Sequence, residues 1–106
     1  MKRICWTLQV KPDKLEEYAE LHRNVWPEMQ EALRKTGWSN YSIFLRKDGL
    51  LIGYLETEDW EAAVKGMDGL EVNARWQKVA GPLFQQLEGA RPDESMQPIP
   101  EVFHLD

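Results

Sequence analysis

The chain has 106 residues, of which 42% are hydrophobic and 29% charged, and its formal net charge is -5. This length and hydrophobic content predict a single folded domain over residues 1–106 and exclude a disordered chain. The acidic balance argues against a nucleic-acid surface, which needs clustered lysine and arginine to neutralise phosphates. No apolar run approaches the roughly 20 residues that a membrane span requires.

The N-terminal residues MKRICWTLQV alternate apolar and polar side chains instead of forming the apolar core of a secretory signal. Cys5 is the one cysteine, so a disulfide cannot form within the chain. Both features predict a cytoplasmic protein, with Cys5 as a buried or half-buried strand residue.

The first part of the chain predicts a strand followed by a helix. Residues 3–10 alternate with the period of two that is typical of a half-buried strand. Its apolar face consists of Ile4, Trp6, Leu8 and Val10. Asp13 and Glu16 fit a capping box at the start of a helix that ends in a C-cap at Gly37.

The middle of the chain predicts a hairpin and a second helix. Residues 38–46 and 50–56 alternate as strands, and the KDG sequence at 47–49 is typical of the turn between them. Residues 57–67 predict a capped helix. The residues predicted to face inward on this helix are Trp60, Ala63, Val64 and Met67.

The last part predicts another helix, a loop and a closing strand. The helix runs through Val72, Trp76 and Val79, until a glycine and a proline interrupt it. Residues 89–100 carry three of the six prolines and little periodicity, so they predict a loop. Residues 101–105, EVFHL, predict a short final strand.

The element order is β-α-β-β-α-β. This order predicts an α+β domain of the ferredoxin-like type, with an antiparallel sheet covered by helices on one face. The other sheet face then needs a partner, because apolar side chains on it would otherwise remain in water. A symmetric homodimer that packs sheet against sheet, as a dimeric α/β barrel, is the simplest solution.

Three ring side chains follow one another on the first predicted helix. Tyr18, His22 and Trp26 are four residues apart, so a continuous helix would stack them in one column. Pro27 lacks an N–H donor and either kinks this helix or restarts it as a second one. The column is either part of the core or the wall of a pocket, with His22 as a candidate acid–base group because its ordinary pKa is about 6.5.

Two further aromatic residues can complete such a pocket. Tyr41 shares a strand face with apolar residues and can point under the first helix, and Trp76 on the later helix can close the space. Sugars present an apolar C–H face that stacks on rings and a rim of hydroxyl groups that form hydrogen bonds. Two tyrosines, an imidazole and indoles therefore favour a carbohydrate site over a lipid or metal site.

The segments QVKPDKLEEYAELHRNVWPEM, GWSNYSIFL, RWQK and PEVFHLD resemble the L-rhamnose mutarotase family. The likeness extends from near residue 1 to residue 106. It implies a cofactor-free enzyme, a ferredoxin-like mutarotase domain that forms a homodimer in the cytoplasm and interconverts the α and β anomers of L-rhamnose. It also implies that His22 is the proton donor and that Tyr18, Tyr41 and Trp76 bind the sugar.

One position departs from the family pattern. The family commonly has a second tryptophan directly after the first, whereas this chain has Gln77 after Trp76. An amide with two donors and an acceptor thus replaces a stacking face. The identity of the sugar is therefore left open, and the alternatives to L-rhamnose are a related 6-deoxy aldose or a broader range of aldoses.

The sequence does not identify the base of a ring-opening reaction, which is the group that takes the proton from the anomeric hydroxyl. The base is water, a water held by a tyrosine, or a carboxylate, for which Glu101 is a weak candidate. His104 is the other histidine, and a structural or surface role fits it better than catalysis. No metal-ligand spacing and no glycine-rich phosphate loop are present, so we expect neither a metal nor a nucleotide cofactor.

Two other classes of function compete with a mutarotase. Small dimeric ferredoxin-like proteins also include cofactor-free monooxygenases and haem-degrading enzymes. Asn24, which lies between His22 and Trp26 in the sequence, would suit such a site, an interpretation that rests on analogy between folds alone. The second alternative is a non-catalytic dimer that binds a sugar and does not accelerate its anomer exchange.

Overall fold

The computed structural model of the chain describes residues 1–85 and 91–106. Within these residues, a three-stranded antiparallel sheet packs against four helices, which confirms the predicted α+β class. The regular elements are β1 (Lys2–Gln9), α1 (Leu15–Arg23), α2 (Pro27–Lys35), β2 (Ser39–Leu45), β3 (Leu50–Thr57), α3 (Trp60–Asp68) and α4 (Glu71–Ala80). No helix in the described part of the chain is both long and apolar enough to cross a membrane.

The sheet has the strand order β1-β3-β2, so β3 is central and both pairings are antiparallel. In the middle of the sheet, Trp6 of β1 and Ile43 of β2 lie opposite Gly53 of β3. Trp6 is completely buried. A Cβ atom at position 53 would lie 2.2 Å from two ring carbons of Trp6, so only glycine allows the indole to lie this close to the strand.

The helices pack on the inner face of the sheet and leave its outer face uncovered in the described part of the chain. The inner face contributes Trp6, Leu8, Leu51 and Leu55 to a core that also includes residues of all four helices. On the outer face, the row of cross-strand neighbours Thr7, Ile52 and Phe44 lies beside a row formed by Cys5, Tyr54 and Ser42. Phe44 is 59% exposed. The three strands predicted over residues 3–10, 38–46 and 50–56 and their alternation are therefore confirmed.

Pro27 separates the long predicted helix into two. The first helix ends at Arg23, and Pro27 occupies the first turn of α2, where its missing N–H is not needed. The restart is thus the correct one of the two alternatives, and Trp26 lies before α2 instead of continuing the column of Tyr18 and His22. At the other end of α2 the C-cap is Thr36, one residue before the predicted position. Gly37 follows it with a φ of +97°, the left-handed conformation in which a glycine commonly ends a helix.

The capping box predicted from Asp13 and Glu16 is wrong. Pro12–Lys14 form a 3-10 turn, so Asp13 lies inside this turn and α1 starts after it without a side-chain cap. The helix predicted over residues 57–67 starts at Trp60. Its N-cap is Asp59, whose carboxylate accepts a hydrogen bond of 3.2 Å from the Ala62 N–H.

The helix predicted to run through Val72, Trp76 and Val79 is α4, and it buries polar as well as apolar residues. Val79 is 49% exposed. The buried residues of α4 are Asn73, Trp76, Gln77 and Ala80. An apolar pattern alone does not identify this buried face, because two of its positions carry amides, which are satisfied largely by hydrogen bonds to each other and to neighbouring groups.

The closing strand predicted for residues 101–105 is not formed, and residues 101–106 have no regular secondary structure. The chain reaches the free edge of β1 just before this segment, where the Ile99 N–H donates a 2.7 Å bond to the Cys5 carbonyl. Pro98 and Pro100 have no N–H groups and therefore cannot continue the ladder. The predicted loop over 89–100 has a 3-10 turn at Pro92–Glu94, while its residues 89 and 90 lie outside the described part.

The contact between Trp6 and the central strand leads to a stability prediction. Gly53→Ala should lower the free energy of unfolding by about 1–3 kcal/mol, the usual effect of an overpacked core. Urea denaturation measures the change. The matched control is Gly69→Ala, because a Cβ atom there meets no atom within 4 Å. Equal stability of the two variants would contradict the close packing of Trp6 on β3.

Candidate active site

A cavity of about 690 Å³ lies between the inner face of the sheet and the helices. This volume is typical of small-molecule sites and is large enough for a monosaccharide. All four residues that the sequence predicted for the site line this cavity, namely Tyr18, His22, Tyr41 and Trp76. The structure thus brings together side chains from α1, β2 and α4.

Tyr18 and His22 form the part of the cavity wall that α1 provides. They are four residues apart on this helix, and their rings stack with centroids 4.2 Å apart and an interplanar angle of 26°. The Nδ1 atom of His22 donates a 3.0 Å hydrogen bond to the Tyr18 carbonyl. A carbonyl oxygen only accepts, so Nδ1 carries the proton and the neutral ring has its lone pair on Nε2.

The surroundings of His22 favour this neutral form. Burial lowers the pKa of His22 because a charged imidazolium loses water, and the hydrogen bond to the Tyr18 carbonyl opposes the shift only in part. At neutral pH the Nε2 atom is therefore a proton acceptor. Once it has taken a proton, it becomes a donor at the same position.

One tryptophan contacts the imidazole, and a second tryptophan packs against the first. The indole of Trp76 meets the ring of His22 edge to face, with centroids 5.4 Å apart and an interplanar angle of 88°. Trp26 contacts Trp76 in the same manner at 5.1 Å, and the Arg75 guanidinium lies 5.7 Å from the centre of the Trp26 ring. Edge-to-face pairs are the favoured aromatic geometry, so these contacts fix the position of Trp76.

Tyr41 reaches the cavity from β2. Its ring packs against Trp38 at 5.0 Å and against Trp6 at 6.4 Å. Burial raises the pKa of Tyr41, and the nearby Tyr18 adds to this rise. Burial also raises the pKa of Tyr18. Both hydroxyl groups therefore stay protonated at neutral pH and can donate as well as accept hydrogen bonds.

Sequence reasoning singled out Gln77 but missed two polar residues that, with it, line the cavity. Asn73, Gln77 and Asp93 all line it, and Asp93 is the one acidic residue among the described lining residues. Asn73 is only 1% exposed and lies one turn before Trp76 on α4. This spacing was the available signal, but the fold of the distant segment around Asp93 was needed to show what the amide binds.

Two residues weighed from the sequence lie elsewhere. Glu101 pairs with Arg3 through two hydrogen bonds of 2.9 Å and does not line the cavity, so the suggestion that it acts as the base finds no support. His104 lies in the C-terminal segment, with its Nε2 atom 3.0 Å from an Asp106 carboxylate oxygen. Among the residues that the structure describes, no group of three or more potential ligands could hold a metal ion.

The fold and the site together define a small α+β protein with an aromatic cavity that contains one neutral histidine. Residues 3–105 match the family model described as L-rhamnose mutarotase. The curated L-rhamnose mutarotases of Bacillus subtilis and Oceanobacillus iheyensis are 43% and 40% identical to this chain, each over 100% of both sequences. The chain belongs to the L-rhamnose mutarotase family, as the resemblance of its motifs predicted.

A solved structure shares the fold. The crystal structure of an L-rhamnose mutarotase from Formosa agariphila superposes with a TM-score of 0.79 and covers 100% of both chains at 23% identity. This match extends through the segments that form the cavity, so the arrangement of helices on one sheet face is shared.

The lowered pKa of His22 leads to a prediction for stability. An unfolded histidine binds a proton with a pKa of about 6.5, whereas the folded state binds it only at lower pH. As the pH falls below this value, the unfolded state takes up more protons, and the free energy of unfolding decreases until the folded pKa is reached.

Urea unfolding between pH 7 and pH 5 should therefore show a smaller decrease for His22→Gln than for the wild type. The variant His104→Gln, altered in the exposed C-terminal segment, is the matched control. A decrease of the same size in His22→Gln and in the wild type would show that burial does not oppose protonation of His22.

Proposed function

We propose that this protein is an L-rhamnose mutarotase, which interconverts the α and β anomers of L-rhamnopyranose by acid–base opening and closure of the ring. The observation that carries the proposal is a neutral histidine with its Nδ1 atom bound to the Tyr18 carbonyl in an aromatic cavity of monosaccharide size. Family membership favours this activity over a cofactor-free monooxygenase, a haem-degrading enzyme or a non-catalytic sugar-binding dimer.

In this proposal the rings bind the sugar and His22 moves the proton. Trp76 offers an indole to the C–H face of the pyranose, and the hydroxyls of Tyr18 and Tyr41 bind its hydroxyl groups. These three side chains orient the anomeric carbon toward His22. A related 6-deoxy aldose would make the same contacts.

The reaction balances with a single imidazole. The Nε2 atom of His22 takes the proton of the anomeric hydroxyl, the C1–O5 bond breaks, and a double bond forms between C1 and O1. The electron pair of the broken bond stays on O5, which then takes the proton from Nε2. Rotation about C1–C2 in the open aldehyde and the reverse steps close the ring with the hydroxyl on its other face.

One nitrogen can serve both oxygens in turn because O1 and O5 are bonded to the same carbon. His22 therefore acts first as base and then as the proton donor to the ring oxygen. Asp93 is poorly placed to be a separate base, because both of its carboxylate oxygens already accept hydrogen bonds from Arg91 and Asn73. The steps need no oxidant, reductant or co-reactant, as in an isomerase of the aldose 1-epimerase type.

The test of the proposed function is anomer exchange. NMR saturation transfer between the two anomeric protons of L-rhamnose measures the rate with wild-type protein and with His22→Ala. The variant should lose at least about 10²-fold, the usual contribution of a positioned acid–base group. The control His104→Ala should retain the wild-type rate. Full exchange with His22→Ala would exclude His22 as the proton carrier, and no exchange with the wild type would exclude the mutarotase.

We also propose that two copies pair through the outer face of the sheet, as in a dimeric α/β barrel built from ferredoxin-like domains. The outer row of Thr7, Ile52 and Phe44 carries no helix in the described residues. The segment after Pro100 adds three apolar side chains that are 95%, 78% and 80% exposed, those of Val102, Phe103 and Leu105. Exposed apolar groups of this kind are typical of an interface.

A single charge should weaken this dimer. Phe44→Glu places two like charges near the symmetry axis of the proposed interface and should cost about 2 kcal/mol or more of association free energy. Light scattering behind a sizing column should show twice the chain mass for the wild type and a lower mass for the variant. Lys47→Glu, in the exposed turn between β2 and β3, is the control. A monomeric wild type would refute the proposal.

For its setting, we propose a single-domain cytoplasmic enzyme. The half-buried Cys5 is the one cysteine of the chain and is not in a disulfide, which supports a reducing compartment.

A further inference from the structure

A chain of hydrogen bonds runs from Arg91 to the cavity. The Arg91 guanidinium donates to the two carboxylate oxygens of Asp93 at 3.0 and 2.7 Å. The Asn73 amide nitrogen donates to Asp93 at 2.8 Å, and the Gln77 amide nitrogen donates to the Asn73 oxygen at 3.0 Å. Two side chains of α4 and two of the segment that begins at Arg91 are thereby connected into one network.

The carboxylate of Asp93 fixes the direction of both amides in this chain. An ionised carboxylate only accepts hydrogen bonds, so Asn73 must present its nitrogen to Asp93. The same nitrogen also donates to the Met67 carbonyl at 3.1 Å, which confirms the orientation. The Asn73 oxygen is then the atom that faces Gln77, so Gln77 must present its nitrogen in turn.

The oxygen of Gln77 is the free end of this chain. It is buried and has no hydrogen-bond partner among residues 1–85 and 91–106. Gln77 also lines the cavity, next to Trp76. A buried acceptor without a partner is unfavourable, so a ligand that supplies a donor at this point would gain binding free energy from the contact.

We propose that Gln77 Oε1 accepts a hydrogen bond from one hydroxyl group of the bound sugar, and that Asp93 acts through Asn73 as the positioning residue for this contact. The inference rests on the proposed function for the identity of the ligand. It deepens that function, because it makes Gln77 a specificity residue that requires an O–H donor at one ring position. A tryptophan at position 77 would offer no such acceptor.

The requirement separates hydroxyl groups from groups of similar size that cannot donate. A site built to bind a hydroxyl rejects an analogue that lacks the donor, because the protein atom is then left unpaired. Fluorine replaces a hydroxyl with little change in size and cannot donate. Analogues of L-rhamnose with fluorine at C2, C3 or C4 therefore probe each ring position.

The experiment measures the Kd of L-rhamnose and of the three fluoro analogues by isothermal titration calorimetry. Binding is the readout because fluorine also alters the intrinsic rate of ring opening. The proteins are the wild type, Gln77→Met, Asp93→Asn and the matched control Asp68→Asn. Asp68 lies 3.8 Å from the same Arg91 guanidinium and forms no hydrogen bond to Asn73, so it tests the loss of a charge beside Arg91 alone.

The wild type should bind one of the analogues about 10-fold or more weakly than L-rhamnose, the usual effect of a lost hydrogen bond to a buried acceptor. Gln77→Met should reduce this ratio to near 1. Asp93→Asn should reduce the same ratio at least about 3-fold. An amide at position 93 donates as well as accepts hydrogen bonds, so it no longer fixes the orientation of the Asn73 amide. Asp68→Asn should keep the wild-type ratio. Circular dichroism melting checks that each variant is folded. If Gln77→Met is unfolded, the comparison of Asp93→Asn with Asp68→Asn tests the inference by itself.

Three results would overturn the inference. The first is a wild type that binds all three fluoro analogues as well as L-rhamnose. The second is a ratio that Gln77→Met or Asp93→Asn leaves unchanged, and the third is an equal effect of Asp93→Asn and Asp68→Asn. Saturable, discriminating binding without anomer exchange would instead remove the proposed activity and keep the role of Gln77. If no sugar binds, both the activity and the inference fail.

Discussion

The packing of Trp6 on Gly53 is the constraint on which the rest of this structure depends. The indole belongs to an edge strand and lies against the one position of the central strand that has no side chain. A flat ring on a bare backbone gives the sheet a smooth inner surface at its centre. The helices are supported around this surface, and the space that remains under them is the cavity. Tyr41 is held at the edge of the same surface by its contact with Trp6.

Rigidity around His22 comes from short-range contacts. The hydrogen bond from its Nδ1 atom spans a single helical turn, and the stacked ring of Tyr18 is contributed by the same turn. Pro27 ends this arrangement because the chain must leave α1 before it, which frees Trp26 to turn toward Trp76. A residue that breaks a helix thus improves the packing of the site. Local sequence determines the tautomer, and long-range packing brings Trp76 of α4 against the ring.

The sequence was a good guide wherever a residue's role depends on its own element. Alternation located all three strands, and helical spacing located Tyr18 and His22 on one face. It failed where the role depends on a distant segment. Asn73 and Gln77 are buried because Asp93, on a segment that follows α4 in the chain, anchors their hydrogen bonds.

The end of the chain shows the same limit. Alternation predicted a strand over residues 101–105, but a strand forms only where a neighbouring edge can pair with it. The contact at Ile99 shows that the edge of β1 is within reach, while the prolines on both sides of this residue stop further pairing. The alternation of side chains cannot predict whether residues 101–105 pair with β1, because the pairing is stopped by the missing N–H groups of the prolines.

The tryptophan pairs have an optical consequence. Four of the five tryptophans form two edge-to-face pairs, Trp26 with Trp76 and Trp38 with Trp60, with centroids 5.1 and 5.4 Å apart. Indole transitions at such separations couple, so light absorbed by one ring is shared with its neighbour. One member of each pair lines the cavity. The near-ultraviolet circular dichroism and the emission spectrum of this chain therefore originate largely from the walls of its site, and they give a signal for ligand entry without any added label.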